Sequence, residues 1–285
     1  MKLLEKLISL LEMLARWLDM DVHKVRQALL RIGAYDLYER WLELQVRGGP
    51  MPDHVGVILD GNRRWARMHG LEPWQGHRAG AKRVEELLRW CLELGIKTVT
   101  LYAFSTENFK RSPREVLELM KLFEEELRRL KESDVVREHK VRVKVIGRLE
   151  LLPPDIRKLA GELEEATKEH DGHYLNIAIA YGGRAEIVDA VRKIARDVKA
   201  GLIEPEEISE ELFERYLYTS YLPEAVRDPD LIIRTSGEER LSGFLLWQSA
   251  YSELCFVDVF WPEFRRIDLL RAIRTYQGRQ RRFGR

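Results

Sequence analysis

The run Asp60-Gly61-Asn62-Arg63-Arg64-Trp65-Ala66 sets a carboxylate able to hold a divalent cation beside two guanidinium groups, with a third at Arg67. The apolar stretch His54-Val-Gly-Val-Ile-Leu59 in front of it reads as a strand, which places the acid at a strand's end. Gly61 lets backbone approach a ligand closely, and a helix starting there would turn free N–H groups toward an anion. Together these groups suit a magnesium-bound diphosphate. Gly76, His77 and Gly80 follow near the start of another helix, where His77 can donate to a phosphate oxygen.

Two more clusters stand after apolar runs. Phe104-Ser105-Thr106-Glu107-Asn108-Phe109-Lys110-Arg111 brings hydroxyls, an amide and an arginine to one place, a pattern that a helix cap with a solvated arginine explains equally well. In Arg234-Thr235-Ser236-Gly237-Glu238-Glu239-Arg240-Leu241-Ser242-Gly243, two arginines flank a small-residue turn, which fits a second anion site gripped by guanidinium forks. Glu253 follows as either an ion-pair partner of those arginines or a second metal ligand, and spacing does not decide between them. Three anion-binding clusters point to two phosphorylated ligands. The chain has neither a Gly-x-x-x-x-Gly-Lys-Ser/Thr loop nor a Gly-x-Gly-x-x-Gly turn, and no Asp-Asp pair.

The elements that must position these groups alternate. Strand-like runs cover 54–59, 97–103, 141–146, 174–180, 231–233 and 255–260, with helical patterns over 79–94, 113–132, 155–170, 184–200 and 206–216. This predicts an α/β fold with a mainly parallel six-stranded sheet flanked by helices, whose ligands gather at the carboxyl ends of the strands. Before the Gly48-Gly49-Pro50 break, residues 3–18 form an amphipathic helical pattern and 21–45 a second, interruptible at Gly33. We divide the chain into an N-terminal helical extension, 1–50, and a catalytic region, 51–285. The apolar face of the extension packs on the core or a second subunit, or lies on a membrane surface.

Composition removes other classes. The 285 residues, 45% hydrophobic, are too apolar for a disordered chain, and 48 basic against 47 acidic residues give no reason to expect nucleic-acid binding. That balance hides a C-terminal excess: residues 265–285 carry eight arginines and one acid, Asp268. Two cysteines, no zinc-ligand spacing, no leader pattern and no long apolar run lead us to expect a cytoplasmic protein, with peripheral membrane contact as the alternative for its first helix.

Five ordered strings, His54–Ala66, Gly76–Gly80, Tyr102–Arg111, Asn176–Glu186 and Asp230–Glu253, closely resemble the cis-prenyltransferase family, whose bacterial members are undecaprenyl diphosphate synthases. The resemblance covers about residues 51–285. It implies Mg2+-dependent condensation of isopentenyl diphosphate onto an allylic primer, farnesyl or geranylgeranyl diphosphate, with new cis double bonds. The product would be a long-chain polyprenyl diphosphate, precursor of a glycosyl carrier lipid.

Carried over by motif, the resemblance makes Asp60 the essential magnesium ligand and assigns Gly61, Asn62, Arg63, Arg64 and His77 to the allylic diphosphate. Ser105, Asn108 and Arg111 would lie between the substrates, with Trp65, Thr106, Glu107 and Phe109 among the substrate-binding positions. Arg234, Arg240 and Ser242 would hold isopentenyl diphosphate. Glu253 matches a second metal ligand reached across a homodimer interface, and Arg282 belongs to an Arg-x-Gly ending that completes a neighbour's site. The family assigns the final proton removal to Asn108, but a neutral amide is a poor base. We expect Asn108 to orient a diphosphate oxygen or water that takes the proton.

Pro73 stands where many members of the family carry an arginine, so one diphosphate contact is either missing or supplied from elsewhere, Arg67 and Arg78 being the candidates. A chain-length tunnel would run beside Val116, Leu119, Met120, Phe123 and Leu127, though a plain core helix has the same pattern. A non-catalytic partner subunit would lack the acid or the arginines. A phosphatase using Asp60 as nucleophile would want an acid at 62, where the chain has Asn.

Overall fold

The computed structural model describes residues 34–279, together with Leu10 and Met13. Apart from Leu10 and Met13, the helix expected over 3–18 lies outside the described residues, as do the part of the second before residue 34 and Arg282.

The chain runs through α1 (Ala34–Arg47), β1 (His54–Ile58), α2 (Asn62–Met68), α3 (Pro73–Glu93), β2 (Thr98–Ser105), a 3-10 turn (Thr106–Lys110) and α4 (Pro113–Glu132). It continues with α5 (Asp134–Glu138), β3 (Val141–Ile146), α6 (Pro154–Thr167), β4 (His173–Tyr181), α7 (Gly183–Lys199) and α8 (Glu210–Glu214). The last elements are β5 (Leu231–Thr235), β6 (Glu253–Val257) and α9 (Arg266–Gly278). The strands form one sheet, ordered β3-β4-β2-β1-β5-β6, with every neighbouring pair parallel. The expected α/β sheet is thus present and wholly parallel.

Local chemistry moves several boundaries. The third helix begins at Pro73 instead of 79: proline suits the first turn, and Glu72 and Gln75 close a reciprocal cap. The helix expected over 206–216 shrinks to α8, because Pro205 opens a 3-10 turn and the Ser209 side chain accepts the Leu212 N–H to start a new helix. β6 begins at Glu253, two residues early, through its register with Leu231.

A polar chain crosses the interior of the sheet. His54 Nε2 lies 2.7 Å from Thr100 Oγ1, which accepts from Asn176 Nδ2 at 2.8 Å, and the Tyr221 hydroxyl donates to Asn176 Oδ1. Burial pushes His54 down to about 4, so the ring is neutral at pH 7. The Asp230 carboxylate accepts the Asp53 and His54 N–H groups at 2.7 and 3.0 Å, fixing where β1 starts.

The chain divides into two compact units, Pro52–Phe264, and Met1–Met51 with Arg265–Arg285. The sheet belongs to the first. In the second, α1 buries Tyr38, Leu42 and Val46, and Arg266 of α9 pairs with Glu43 at 2.8 Å and Glu39 at 3.4 Å. Among the described residues no helix is long and apolar enough to cross a membrane.

Candidate active site

The parallel register brings two of the sequence clusters together. Ile58 pairs with Arg234 across β1 and β5, so the acid just beyond β1 lands beside the end of β5. Asp60 N–H donates to Thr235 Oγ1 at 3.1 Å, and the Thr235 hydroxyl donates back to the Asp60 carbonyl at 2.6 Å. The Asp60 carboxylate accepts from Gly61 N–H at 2.7 Å and from Arg234 Nη2 at 2.8 Å. Burial opposes its ionisation, but the Arg234 hydrogen bond and charge, the Gly61 N–H and Arg64 outweigh that, and its pKa lies below the ordinary value. Gly61 takes φ +103, and a Cβ there would come within 2.7 Å of the Phe260 ring. Only glycine fits this turn.

Arg234, itself buried, also donates to Ser242 Oγ at 2.8 Å and to the Arg240 carbonyl. Arg64 donates to Glu238 at 3.2 Å and to Ser236 Oγ, and Arg240 donates to the other oxygen of Glu238. Glu238, which nothing in the sequence pattern singled out, therefore holds an arginine from each anion cluster.

The opposite wall is built on packing between helices. A Cβ on Gly76 would sit 2.1 Å from the Asn62 carbonyl, and one on Gly80 2.3 Å from Asn62 Oδ1, so these glycines let α3 press against the first turn of α2. That contact sets His77 beside the Asn62 turn. His77 Nε2 lies 3.3 Å from Glu115 Oε1, the same oxygen that accepts from Arg111 Nη1 at 3.1 Å and stands 3.7 Å from Arg63 Nε. Burial lowers the His77 pKa more than its Glu115 hydrogen bond raises it, leaving a neutral ring at pH 7. Glu115 is the second residue missed. Ser112-x-x-Glu115 has capping-box spacing, yet only Ser112 caps α4, while the Glu115 side chain turns inward.

Asp60, Gly61, Asn62, Arg63, Arg64, Arg67, His77 and Arg111, with Leu59, line one cavity of about 300 Å³. Four arginines against a single acid make it an anion pocket. Arg67 lines it, whereas Arg78 is held by Glu125 at 2.7 Å. A second cavity of about 300 Å³ shares Leu59, Asn62 and His77 with the first and is otherwise mainly apolar. Its floor is the sheet, including Val99 and Leu101, and its walls are α3 and α4. Leu119 and Phe123 line it as expected. Val116, Met120 and Leu127 do not, and Leu122 does: α4 also packs on α6, and its apolar stripe is divided between two neighbours.

Other sequence-selected residues lie elsewhere. Asn108 Oδ1 accepts the Ser105 N–H at 3.0 Å, so the amide closes the 3-10 turn. Thr106 donates to Glu107 at 3.2 Å, Phe109 meets Phe104 edge to face with centroids 4.8 Å apart, and the Trp65 ring lies 4.3 Å from that of His69. Neither cavity is lined by Trp65, Ser105, Thr106, Glu107, Asn108 or Phe109. Glu253 opens β6, whereas Asp60 stands near the strands' carboxyl ends. Four residue steps, about 13 Å of strand, separate Glu253 from Val257, the partner of Thr235. The chain does not bring Glu253 to its own Asp60.

The donor set bears on a metal. Asp60 is the one carboxylate lining the anion cavity, and among the described residues no three His, Cys, Asp or Glu side chains converge. Magnesium commonly keeps several waters and takes one or two carboxylates plus substrate phosphates. A single acid, its side chain 30% exposed beside an anion pocket, fits a metal that is bound largely by a diphosphate.

An anion pocket that shares Leu59, Asn62 and His77 with a mainly apolar cavity on a parallel sheet suits a ligand with an anionic head and an apolar tail. The chain belongs to the undecaprenyl diphosphate synthase family of prenyltransferases, which it matches over residues 58–284. It is 59% identical over 251 residues to the tritrans,polycis-undecaprenyl-diphosphate synthase (geranylgeranyl-diphosphate specific) of Methanopyrus kandleri, an alignment covering 88% of this chain and 91% of that protein. An isoprenyl transferase of Thermus thermophilus is 56% identical over 255 residues, covering 88% and 95%. The crystal structure of lavandulyl diphosphate synthase from Lavandula x intermedia, in complex with dimethylallyl diphosphate, superposes with a TM-score of 0.78 at 38% identity, covering 82% of this chain and 99% of that one.

Proposed function

We propose that the protein condenses isopentenyl diphosphate onto an allylic diphosphate with cis double-bond formation, and that geranylgeranyl diphosphate is its primer. The observation that carries this reading is that both cavities are lined by Leu59, Asn62 and His77, so that one molecule resting its diphosphate among the arginines would place its hydrocarbon between α3 and α4. The geranylgeranyl specificity in the name of the Methanopyrus relative supports the choice of primer.

The residues divide the work. Arg63, Arg64, Arg67 and Arg111 bind the allylic diphosphate and stabilise the charge that grows on it as the C–O bond breaks, each charge-assisted hydrogen bond contributing about 1.5 to 3 kcal/mol. Arg234, Arg240 and Ser242 orient isopentenyl diphosphate so that its double bond meets the allylic carbon. As the new bond forms, a proton leaves the isopentenyl unit for a diphosphate oxygen, which Asn108 helps to orient. Asp60, with Glu253 from a second copy of the chain, would hold Mg2+, which when bound supplies further positive charge to the leaving diphosphate. The homodimer this requires, and use of the product as precursor of a glycosyl carrier lipid, are parts of the same proposal.

Farnesyl and geranylgeranyl diphosphate are offered in parallel with labelled isopentenyl diphosphate and Mg2+. Preferred elongation from geranylgeranyl diphosphate, nearly abolished by EDTA and by Asp60→Ala, is expected. Undiminished turnover in the Asp60 variant would remove the metal-holding role, and preference for farnesyl diphosphate would reverse the choice of primer.

A further inference from the structure

The apolar cavity has charge along one side. α3 and α4 start together at the anion pocket, where His77 meets Glu115. Farther along, two ion pairs span the space between the helices. Arg78 of α3 donates to both carboxylate oxygens of Glu125 of α4, at 2.7 and 2.9 Å. Seven residues on, Glu85 of α3 pairs with Arg129 of α4, which also reaches Glu126 on its own helix at 3.3 Å. Glu85, Glu126 and Arg129 line the otherwise mainly apolar cavity. The four bridging side chains are exposed, so the pairs lie on the solvent side, opposite the floor of sheet residues.

This arrangement separates two tasks. The sheet and the aliphatic faces of the helices supply hydrocarbon surface, while the ion pairs set how far apart the walls stand. A two-pronged guanidinium–carboxylate contact fixes both distance and orientation. Exposed pairs of this kind add little to the stability of a fold as a whole. Their leverage is on the one coordinate they cross, the separation of α3 and α4, and each hydrocarbon unit added to a chain in the cavity presses on that coordinate.

We propose that Arg78–Glu125 and Glu85–Arg129 form a clasp that restrains the parting of α3 and α4 and thereby limits product length. The clasp rests on reading the apolar cavity as the tunnel for a growing chain. None of its members lines the anion pocket; Arg78 and Glu125 line neither cavity, while Glu85 and Arg129 stand at the tunnel wall whose spacing the pairs hold.

The test compares wild type, Arg78→Ala/Arg129→Ala and Arg78→Lys/Arg129→Lys, each given labelled isopentenyl diphosphate and primer, with products sized by mass. The alanine pair is expected to shift the distribution upward by at least one five-carbon unit and broaden it. The lysine pair, which keeps both charges, should stay near wild type. If wild type elongates and the alanine pair gives the same lengths, the clasp is overturned while the reaction stands. An equal shift in the lysine and alanine pairs also overturns it, since pairing would then not be the cause. A wild type that elongates nothing overturns the reaction and the clasp together.

Discussion

Asp60 and Glu115 show how differently single residues can be read from a sequence. Asp60 stands out, because an acid set directly before Gly-Asn-Arg-Arg at the end of a strand caps no helix of its own and faces a cluster of cations. Glu115 looks like an ordinary first-turn glutamate of a helix capped by Ser112, and nothing local tells an inward-facing carboxylate from a capping one. Glu238 is similar, one of two adjacent glutamates in a polar turn. For Glu115, burial opposes ionisation, but the His77 hydrogen bond and the Arg111 and Arg63 charges prevail and put its pKa below the ordinary value. The sign follows: the stability it contributes is complete above the ordinary carboxylate range and is lost as pH falls through its depressed value. We predict that Glu115→Gln flattens the acid side of the stability–pH curve and raises KM for the allylic diphosphate roughly ten- to a hundredfold, from losing about 1.5 to 3 kcal/mol of charged hydrogen bonding. Urea midpoints across pH 3–7 and initial rates check both. An unaltered curve and an unaltered KM would show that Glu115 positions nothing.

The elements were legible where hydrophobic period decides and obscure where caps and contacts decide. All six strands follow from apolar runs bounded by polar turns, and helical stretches between them imply parallel connections. The start of α3 did not follow, because its cap is the glutamate Glu72, a residue outside the preferred capping set. The tunnel face of α4 was only partly visible, since one apolar stripe serves two partners and periodicity cannot apportion it. Gly76 and Gly80 read in the sequence as neighbours of His77, whereas their main effect is to let α2 and α3 touch. We expect Gly76→Ala to push the Asn62 turn outward, costing about 1 to 3 kcal/mol by overpacking and weakening binding of the allylic substrate. Gly161→Ala, with nothing within 4 Å of its new Cβ, should instead stabilise α6 by up to about 1 kcal/mol. Thermal unfolding of the two variants, with KM for the first, separates site packing from helix propensity. A Gly76→Ala protein as stable as wild type, with an unchanged KM, would refute the packing argument.

At the scale of the molecule, the near-zero net charge and its arginine-rich end take on a local meaning. Arg265 pairs with Asp268 at 3.2 Å, Arg266 with Glu43 and Glu39, and Arg271 lies 5.3 Å from the centre of the Tyr38 ring, so part of the basic excess is met within its own compact unit. Sequence order puts α9 in the catalytic region; by contacts it goes with the N-terminal segment. Such grouping depends on long-range pairing that no local pattern records. The sheet's own unit carries both cavities, and its parallel order explains how residues as far apart as Asp60 and Arg234 become neighbours. If this unit builds cis-polyprenyl chains, the stereochemistry of the product must show it. Purified full-length protein is given geranylgeranyl diphosphate, Mg2+ and 13C-labelled isopentenyl diphosphate, and the products are sized by mass and read by NMR. A ladder spaced by five-carbon units whose added double bonds are cis is expected; an absence of incorporation, or added units that are trans, would contradict the assignment.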